Sequence, residues 1–161
     1  MEFLQELLLP TLFAFVASAG FAILYNVHGI GIVICSIGGA LGWFVYLALA
    51  PWIPGEITRA FLAAIAFSAY AEIMARIRKY PVTGYLLVAF FPLVPGGGIY
   101  YTMEHAINGE VDLFLSTFLR TLGIAGALAV GVLLVSSVVR MWTNYHNQRL
   151  LYKHHKNTLS D

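Results

Sequence analysis

The stretch PLVPGGG, Pro92 to Gly98, interrupts an apolar run that otherwise reads as a membrane-spanning helix. Pro92 and Pro95 lack backbone donors and clash with the preceding turn, so neither continues a regular helix. Gly96, Gly97 and Gly98 carry a backbone entropy cost in any helix. In lipid, irregular backbone persists only where protein or a water-filled cavity satisfies its polar groups. The expectation is therefore a fourth span broken at Pro92–Gly98, with the break lining a transport site. The competing reading is a structural kink, or glycines that admit close helix packing.

Working outward, the whole chain carries the composition of a membrane protein. Of its 161 residues, 60% are hydrophobic and 11% are charged, against about 25% charged in a soluble domain. The single cysteine, Cys35, sits in an apolar segment. It reads as a packing residue, with no internal disulfide or thiolate metal site available to it. Ala17-Ser18-Ala19 resembles a signal cleavage site, but Glu2 and Glu6 precede it without a Lys or Arg. Residues 7–25 are accordingly read as a retained span.

Apolar segments of about 20 residues mark spans, and five are expected. They are Leu7 to Tyr25, Ile30 to Ala50, Ile57 to Ala75, Thr83 to about Ile107, and a fifth within Leu113 to Val139. The fold class is all-α: an integral membrane protein with five transmembrane helices, the fourth broken at Pro92–Gly98. Residues 1–140 form one transmembrane domain, and residues 141–161 form a basic cytoplasmic tail. His146, His154 and His155 in that tail lack acidic or thiolate companions, so no metal site and no cofactor is expected.

Charge placement predicts orientation. Arg76, Arg78, Lys79, Arg140, Arg149, Lys153 and Lys156 fall on one side of the five-span arrangement, and only Arg59 is a clear basic residue on the other. Lys and Arg accumulate in cytoplasmic loops, which puts the N-terminus outside and the C-terminus in the cytoplasm. Trp43, Tyr46, Trp52, Trp142, Tyr145 and Tyr152 read as interfacial anchors, and the basic tail as lying on anionic lipid.

The break is suited to a carboxylate. A second half-helix starting near Gly96, roughly 18 Å from the inner boundary, turns free amides and a positive dipole end toward the break. Carbonyls freed near Leu87 to Phe91 suit a cation or ammonium group. The candidate substrate-binding residues are Pro92, Pro95, Gly96, Gly97, Gly98 and Tyr100.

Other charges lie near the spans. Glu72 and Arg76 stand four apart in the order that favours a helical pair. With Lys79 they read as an inner gate or coupling group, the alternative being a structural pair that orients the helix end. Arg120 falls inside span five, yet Thr121 to Val139 alone offers 19 charge-free residues. Arg120 therefore either snorkels to the outer interface or forms an outer vestibule for anions. Glu104 and His105 read as a solvated boundary pair, or as a proton relay. Small residues crowd span two (Gly38, Gly39, Gly42) and span five (Gly123, Gly126, Gly131), which predicts close helix packing within the chain or in a homo-oligomer.

The stretch AEIMARIRKYPVTGYLLVAFFPLVPGGGIYY, Ala71 to Tyr101, resembles the small-subunit half of threonine/serine exporter-like proteins. The pattern falls on Glu72, Ala75, Arg76, Lys79, Pro81, Pro92 to Gly96, and Tyr100 or Tyr101. GFAILYNV (Gly20 to Val27), GGALGW (Gly38 to Trp43) and the glycine-rich fifth span also fit. Tyr80 and Arg120 depart from it. The resemblance implies an exporter of small polar metabolites: threonine and serine, or succinate in split pairs. It also implies a second exporter-like membrane subunit as partner.

The resulting expectation is a non-enzymatic subunit of a secondary exporter for small carboxylate-bearing metabolites. Its partners would be the bilayer, that second subunit and a small-molecule substrate, with no nucleic acid. The different-class alternative is an accessory or assembly membrane protein without its own transport path. A membrane-embedded enzyme is disfavoured by the lack of HExxH, of a paired-aspartate motif and of nucleophile–base spacing.

Overall fold

A computed structural model describes the backbone of residues 2–158, and the side chains of residues 5–143 and of residue 145. All regular structure among these residues is helical. The helices are α1 (Glu2–Leu24), α2 (Ile30–Ala48), α3 (Glu56–Arg78), α4 (Val82–Phe90), α5 (Gly96–Ile107) and α6 (Val111–Thr158), with a 3-10 turn at Phe91–Leu93 between α4 and α5. Four of them, α1, α2, α3 and α6, are long and apolar enough to cross a membrane. The α4–α5 pair, bent by 53°, makes a fifth crossing when taken as one broken span. The expected boundary at residue 140 does not interrupt α6, which runs on through it. The side chains of His146, Arg149, Tyr152, Lys153, His154, His155 and Lys156 lie outside the described residues.

Three of these helices end in the same way. At Asn26, Lys79 and Gly109 the backbone turns left-handed, with φ of 58°, 52° and 72°. The following amides reach back five residues: Val27 N to Ala22 O, Tyr80 N to Ala75 O and Glu110 N to His105 O, at 2.9 to 3.0 Å. This Schellman arrangement satisfies carbonyls that a helix end leaves bare. Asn and Gly tolerate the left-handed position readily; Lys79 occupies it at some steric cost.

Helix α3 is the hub, packing on α2, α4 and α6, while α1 packs on α2 and α5 on α6. Its face of small residues makes this possible. Ala60, Ala63, Ala64 and Phe67 form one core with Ala89, Leu93 and Leu128. Ala71 and Ala75 form a second with Ala22, Cys35, Tyr85 and Val88. Cys35 is thus buried packing. Trp43 and Tyr46, expected as interfacial anchors, also pack against the first core, and Arg59 sits 4.7 Å over the Tyr46 ring.

The glycines set helix register. A Cβ on Gly123 would meet Ile57, one on Gly131 would meet Ala64 and the Phe61 carbonyl at 3.0 Å, and Arg76 reaches Thr143. Ile57, Ala64 and Arg76 thus face Gly123, Gly131 and Thr143 in the same order, so α3 and α6 run parallel. Parallel α3 and α6 are what a five-span alternation requires. On α2, Gly38, Gly39 and Gly42 abut Ala89, Pro92 and Leu93 respectively, at 3.0 to 3.2 Å from an added Cβ. The break is therefore seated directly on the glycine face of α2.

Candidate functional site

The interruption is shorter than the seven residues of PLVPGGG. Pro92 and Leu93 belong to the 3-10 turn, and Val94 and Pro95 are the only non-helical residues between it and α5. The Gly96 amide donates to the Val94 carbonyl at 2.7 Å, and the Ile99 amide to the Pro95 carbonyl at 3.0 Å. The three glycines, counted from sequence within the break, form the first turn of α5, which opens at Gly96 where the second half-helix was expected to start. Gly98 explains why: its Cα faces the Thr121 side chain with no room for a Cβ. Close approach of α5 to α6 thus supplies packing that offsets the entropy cost of helical glycine. Gly96 and Gly97 have no such neighbour, with nothing nearer than the Tyr101 ring at 4.0 Å from an added Cβ on Gly97.

The other side of the break is braced. Phe91 stacks on Phe21 of α1, ring centroids 4.0 Å apart and nearly parallel at 11°, and lies 5.7 Å from the Tyr25 ring. Pro92 touches Gly39 on α2, and Ser18 of α1 meets the same glycine. The Ser18 and Ser68 hydroxyls are buried without a protein hydrogen-bond partner.

Beside the start of α5 lies a cavity of about 310 Å³, bordered by Pro95, Gly97, Gly98, Tyr101 and Thr121 and by two charged residues, Glu56 and Arg120. Arg120 Nε donates to Glu56 Oε2 at 2.8 Å, and a second guanidinium nitrogen donates to Oε1. Two parallel N–H···O bonds make the strong, planar form of this contact. Glu56 opens α3, where a carboxylate also suits the positive end of the helix. Among the described residues, the amides of Gly97 and Gly98 have no acceptor, as first-turn amides do unless capped. The cavity thus offers a guanidinium, two free amides and one carboxylate.

The candidate residues divide. Pro95, Gly97, Gly98 and Arg120 come together at this cavity. Gly96 is exposed beside it and Pro92 packs on α2. Tyr100 stacks edge-on against Tyr101, centroids 5.4 Å apart, and Tyr101 rather than Tyr100 borders the cavity. Arg120 is engaged by Glu56 while its side chain stays 63% exposed. Glu56, which the sequence does not single out, also borders this cavity. The two are far apart in sequence, so no spacing rule joins them. The available signal was the cost of an arginine inside a span, which demands a partner.

Glu72, Arg76 and Lys79 lie toward the other end of α3; Glu72 is about 24 Å from Glu56 by helical rise. The expected Glu72–Arg76 pair is not formed. Arg76 donates instead across the interface to Thr143 Oγ1 at 2.6 Å and the Val139 carbonyl at 3.3 Å. Its several donors suit acceptors on the neighbouring helix as well as a carboxylate one turn back. Glu72 is buried, 8% exposed, with no ion pair among the described residues. Lys79 is the left-handed residue that closes α3. His105 shares its hydrogen bond with Glu110 at 2.5 Å, not with Glu104.

A family model described as Threonine/Serine exporter, ThrE matches residues 10–138. No curated protein and no solved structure matches the chain.

Proposed function

Since the chain belongs to the threonine/serine exporter ThrE family, we propose that it is a membrane subunit of a secondary exporter for small carboxylate-bearing metabolites, with its binding site in the cavity beside the break. The observation that carries this reading is the Glu56–Arg120 pair facing the free amides of Gly97 and Gly98. A substrate carboxylate suits both the guanidinium and the helix end. Engaging only one member of a charge pair leaves the other without its partner, at a cost that grows as the site closes off from water. A zwitterion avoids that cost, because its carboxylate replaces Glu56 on Arg120 while its ammonium replaces Arg120 on Glu56. A dicarboxylate such as succinate satisfies only one of the two. The pair therefore favours an amino acid such as threonine or serine.

Five crossings leave this cavity open, and the Arg120 side chain is 63% exposed. An apolar groove of about 560 Å³ runs along α5 and α6, bordered by Phe90, Ile99, Met103, Phe118 and Leu122. Both features support a second membrane subunit, with this chain contributing half of the path. The end of the bundle that bears Arg76, Arg78 and Lys79 faces the cytoplasm on this reading, so the Glu56–Arg120 cavity opens outward.

The test is counterflow of labelled threonine, serine and succinate in proteoliposomes, with and without a co-expressed complementary subunit. The reading expects saturable threonine or serine counterflow with the partner, lost in Arg120→Gln and weakened in Glu56→Gln. Undiminished counterflow in Arg120→Gln would sink the site assignment. Absence of any counterflow with the partner present would favour the accessory reading.

A further inference from the structure

A second polar cavity lies at the opposite, basic end of the bundle, and Glu72, Arg76 and Lys79 do not border it. It measures about 270 Å³ and is bordered by Asn26, His28, Arg78, Tyr80 and Tyr85. Four helix ends converge there: α1 closes at Asn26, α2 opens after Gly29, α3 closes at Lys79 and α4 opens after Pro81. The two Schellman turns hold this geometry, since both left-handed residues, Asn26 and Lys79, are fixed by back-bonded amides.

The chemistry of the lining is one-sided. Arg78 has no hydrogen bond or ion pair among the described residues, unlike Arg76 and Arg120, which are both engaged. No carboxylate borders the cavity. Tyr85 is buried, 4% exposed, and its ring leans on Tyr80 with centroids 5.5 Å apart. Tyr80 in turn covers Gly84, where an added Cβ would meet its ring at 3.2 Å. Neither tyrosine hydroxyl is spent on a hydrogen bond among the described residues. The Tyr80 that departs from the exporter-like pattern is thus a wall of this cavity.

We propose that this cavity is a phosphate site for an anionic phospholipid headgroup. Arg78 supplies a forked pair of donors that matches phosphate oxygens. His28, Asn26 and the tyrosine hydroxyls supply further donors. Convergent span ends set the cavity at the depth of lipid phosphates, where tyrosines and basic residues are favoured, and basic pockets between spans at that depth hold anionic headgroups. A soluble oxyanion shares the chemistry but not the depth.

Native mass spectrometry of the detergent-purified full chain tests this, with dioleoylphosphatidylglycerol as the probe and inorganic phosphate as the soluble competitor. The expected result is a phosphatidylglycerol adduct whose retention falls roughly fivefold or more in Arg78→Gln, as expected for loss of one basic contact. Tyr80→Phe should weaken it less. Arg140→Gln, a basic residue at the same end but off the cavity, should retain the adduct. Equal retention in Arg78→Gln and the unsubstituted protein overturns the site. Arg78-dependent binding of inorganic phosphate without a lipid adduct overturns the lipid as its occupant. Equal loss in Arg140→Gln reduces the effect to general surface charge, and also overturns the proposal.

Discussion

Arg120, nine residues into α6, clasps Glu56, the first residue of α3, through two donors, one of them Nε at 2.8 Å from Oε2. The contact joins two helices that meet through small residues along their length and through Arg76 and Thr143 at their other end. It also borders the only short stretch of non-helical backbone between α4 and α5. Charge and exposed backbone thus meet at one cavity.

The pair should matter far more for transport than for stability. The Arg120 side chain is 63% exposed, and an exposed ion pair contributes about 1 kcal/mol or less. Arg120→Gln and Glu56→Gln should each shift thermal unfolding in detergent only slightly. The swap Glu56→Arg with Arg120→Glu should restore the pairing without restoring counterflow, because the guanidinium no longer lies on α6. Recovery of counterflow by the swap would show that the pair acts only as a clasp.

Adjacent glycines should respond differently. Gly98 faces Thr121 with no space for a Cβ, whereas Gly97 has room. Gly98→Ala should lower stability by about 1–3 kcal/mol through overpacking. Gly97→Leu should leave the unfolding midpoint near its original value while blocking counterflow, because its side chain fills the cavity. Equal thermal losses in both variants would contradict the assignment of Gly98 to packing and Gly97 to the site.

Gly131 fixes the α3–α6 interface. An added Cβ would meet Ala64 and lie 3.0 Å from the Phe61 carbonyl oxygen, a backbone atom that cannot swing aside. Gly131→Val should destabilise the chain by about 2 kcal/mol or more. Gly126, with nothing within 4 Å of an added Cβ, should accept alanine without loss. Thermal unfolding of the two variants in one detergent checks this.

Ser18 and Ser68 bury hydroxyls without protein partners. An unsatisfied buried hydroxyl costs about 1–3 kcal/mol. Ser68→Ala should therefore hold or raise the unfolding midpoint. Ser18→Ala should do the same if the hydroxyl is only packing. A fall in counterflow at unchanged stability would assign Ser18, which meets the same α2 glycine as Pro92, a part in the path.

Orientation can be read directly. Single cysteines at Asn108 and Lys79, in a Cys35→Ala background, should be labelled from opposite sides of intact cells by a membrane-impermeant maleimide. Asn108 is expected to react from outside. Labelling of Lys79→Cys from outside would invert the assignment.

Much of this architecture was legible from residue order. Runs of apolar residues set the spans, because each span must bury its own backbone hydrogen bonds and match the bilayer thickness. The break was equally local: proline lacks an amide donor wherever it stands. Most helix ends lie within a few residues of the expected span ends, but α6 runs on from the expected Val139 to Thr158, and local rules assigned Gly96–Gly98 to the break. Gly98 belongs to α5 because Thr121 packs against it, a neighbour that no window around residue 98 contains.

Electrostatic partners were the least legible. Arg76 has a carboxylate one turn away, yet bonds to Val139 and Thr143. Arg120 was visible as a charge in a span, but Glu56 was not visible as its partner. The sequence by itself determined an all-helical membrane chain with a broken fourth span and a basic end, because hydropathy, proline and net charge act within a few residues. Tertiary structure alone decided which side chains meet. Contact energies fall off within a few ångströms, and only the parallel packing of α3 on α6 brings Glu56 to Arg120 beside the free amides of α5.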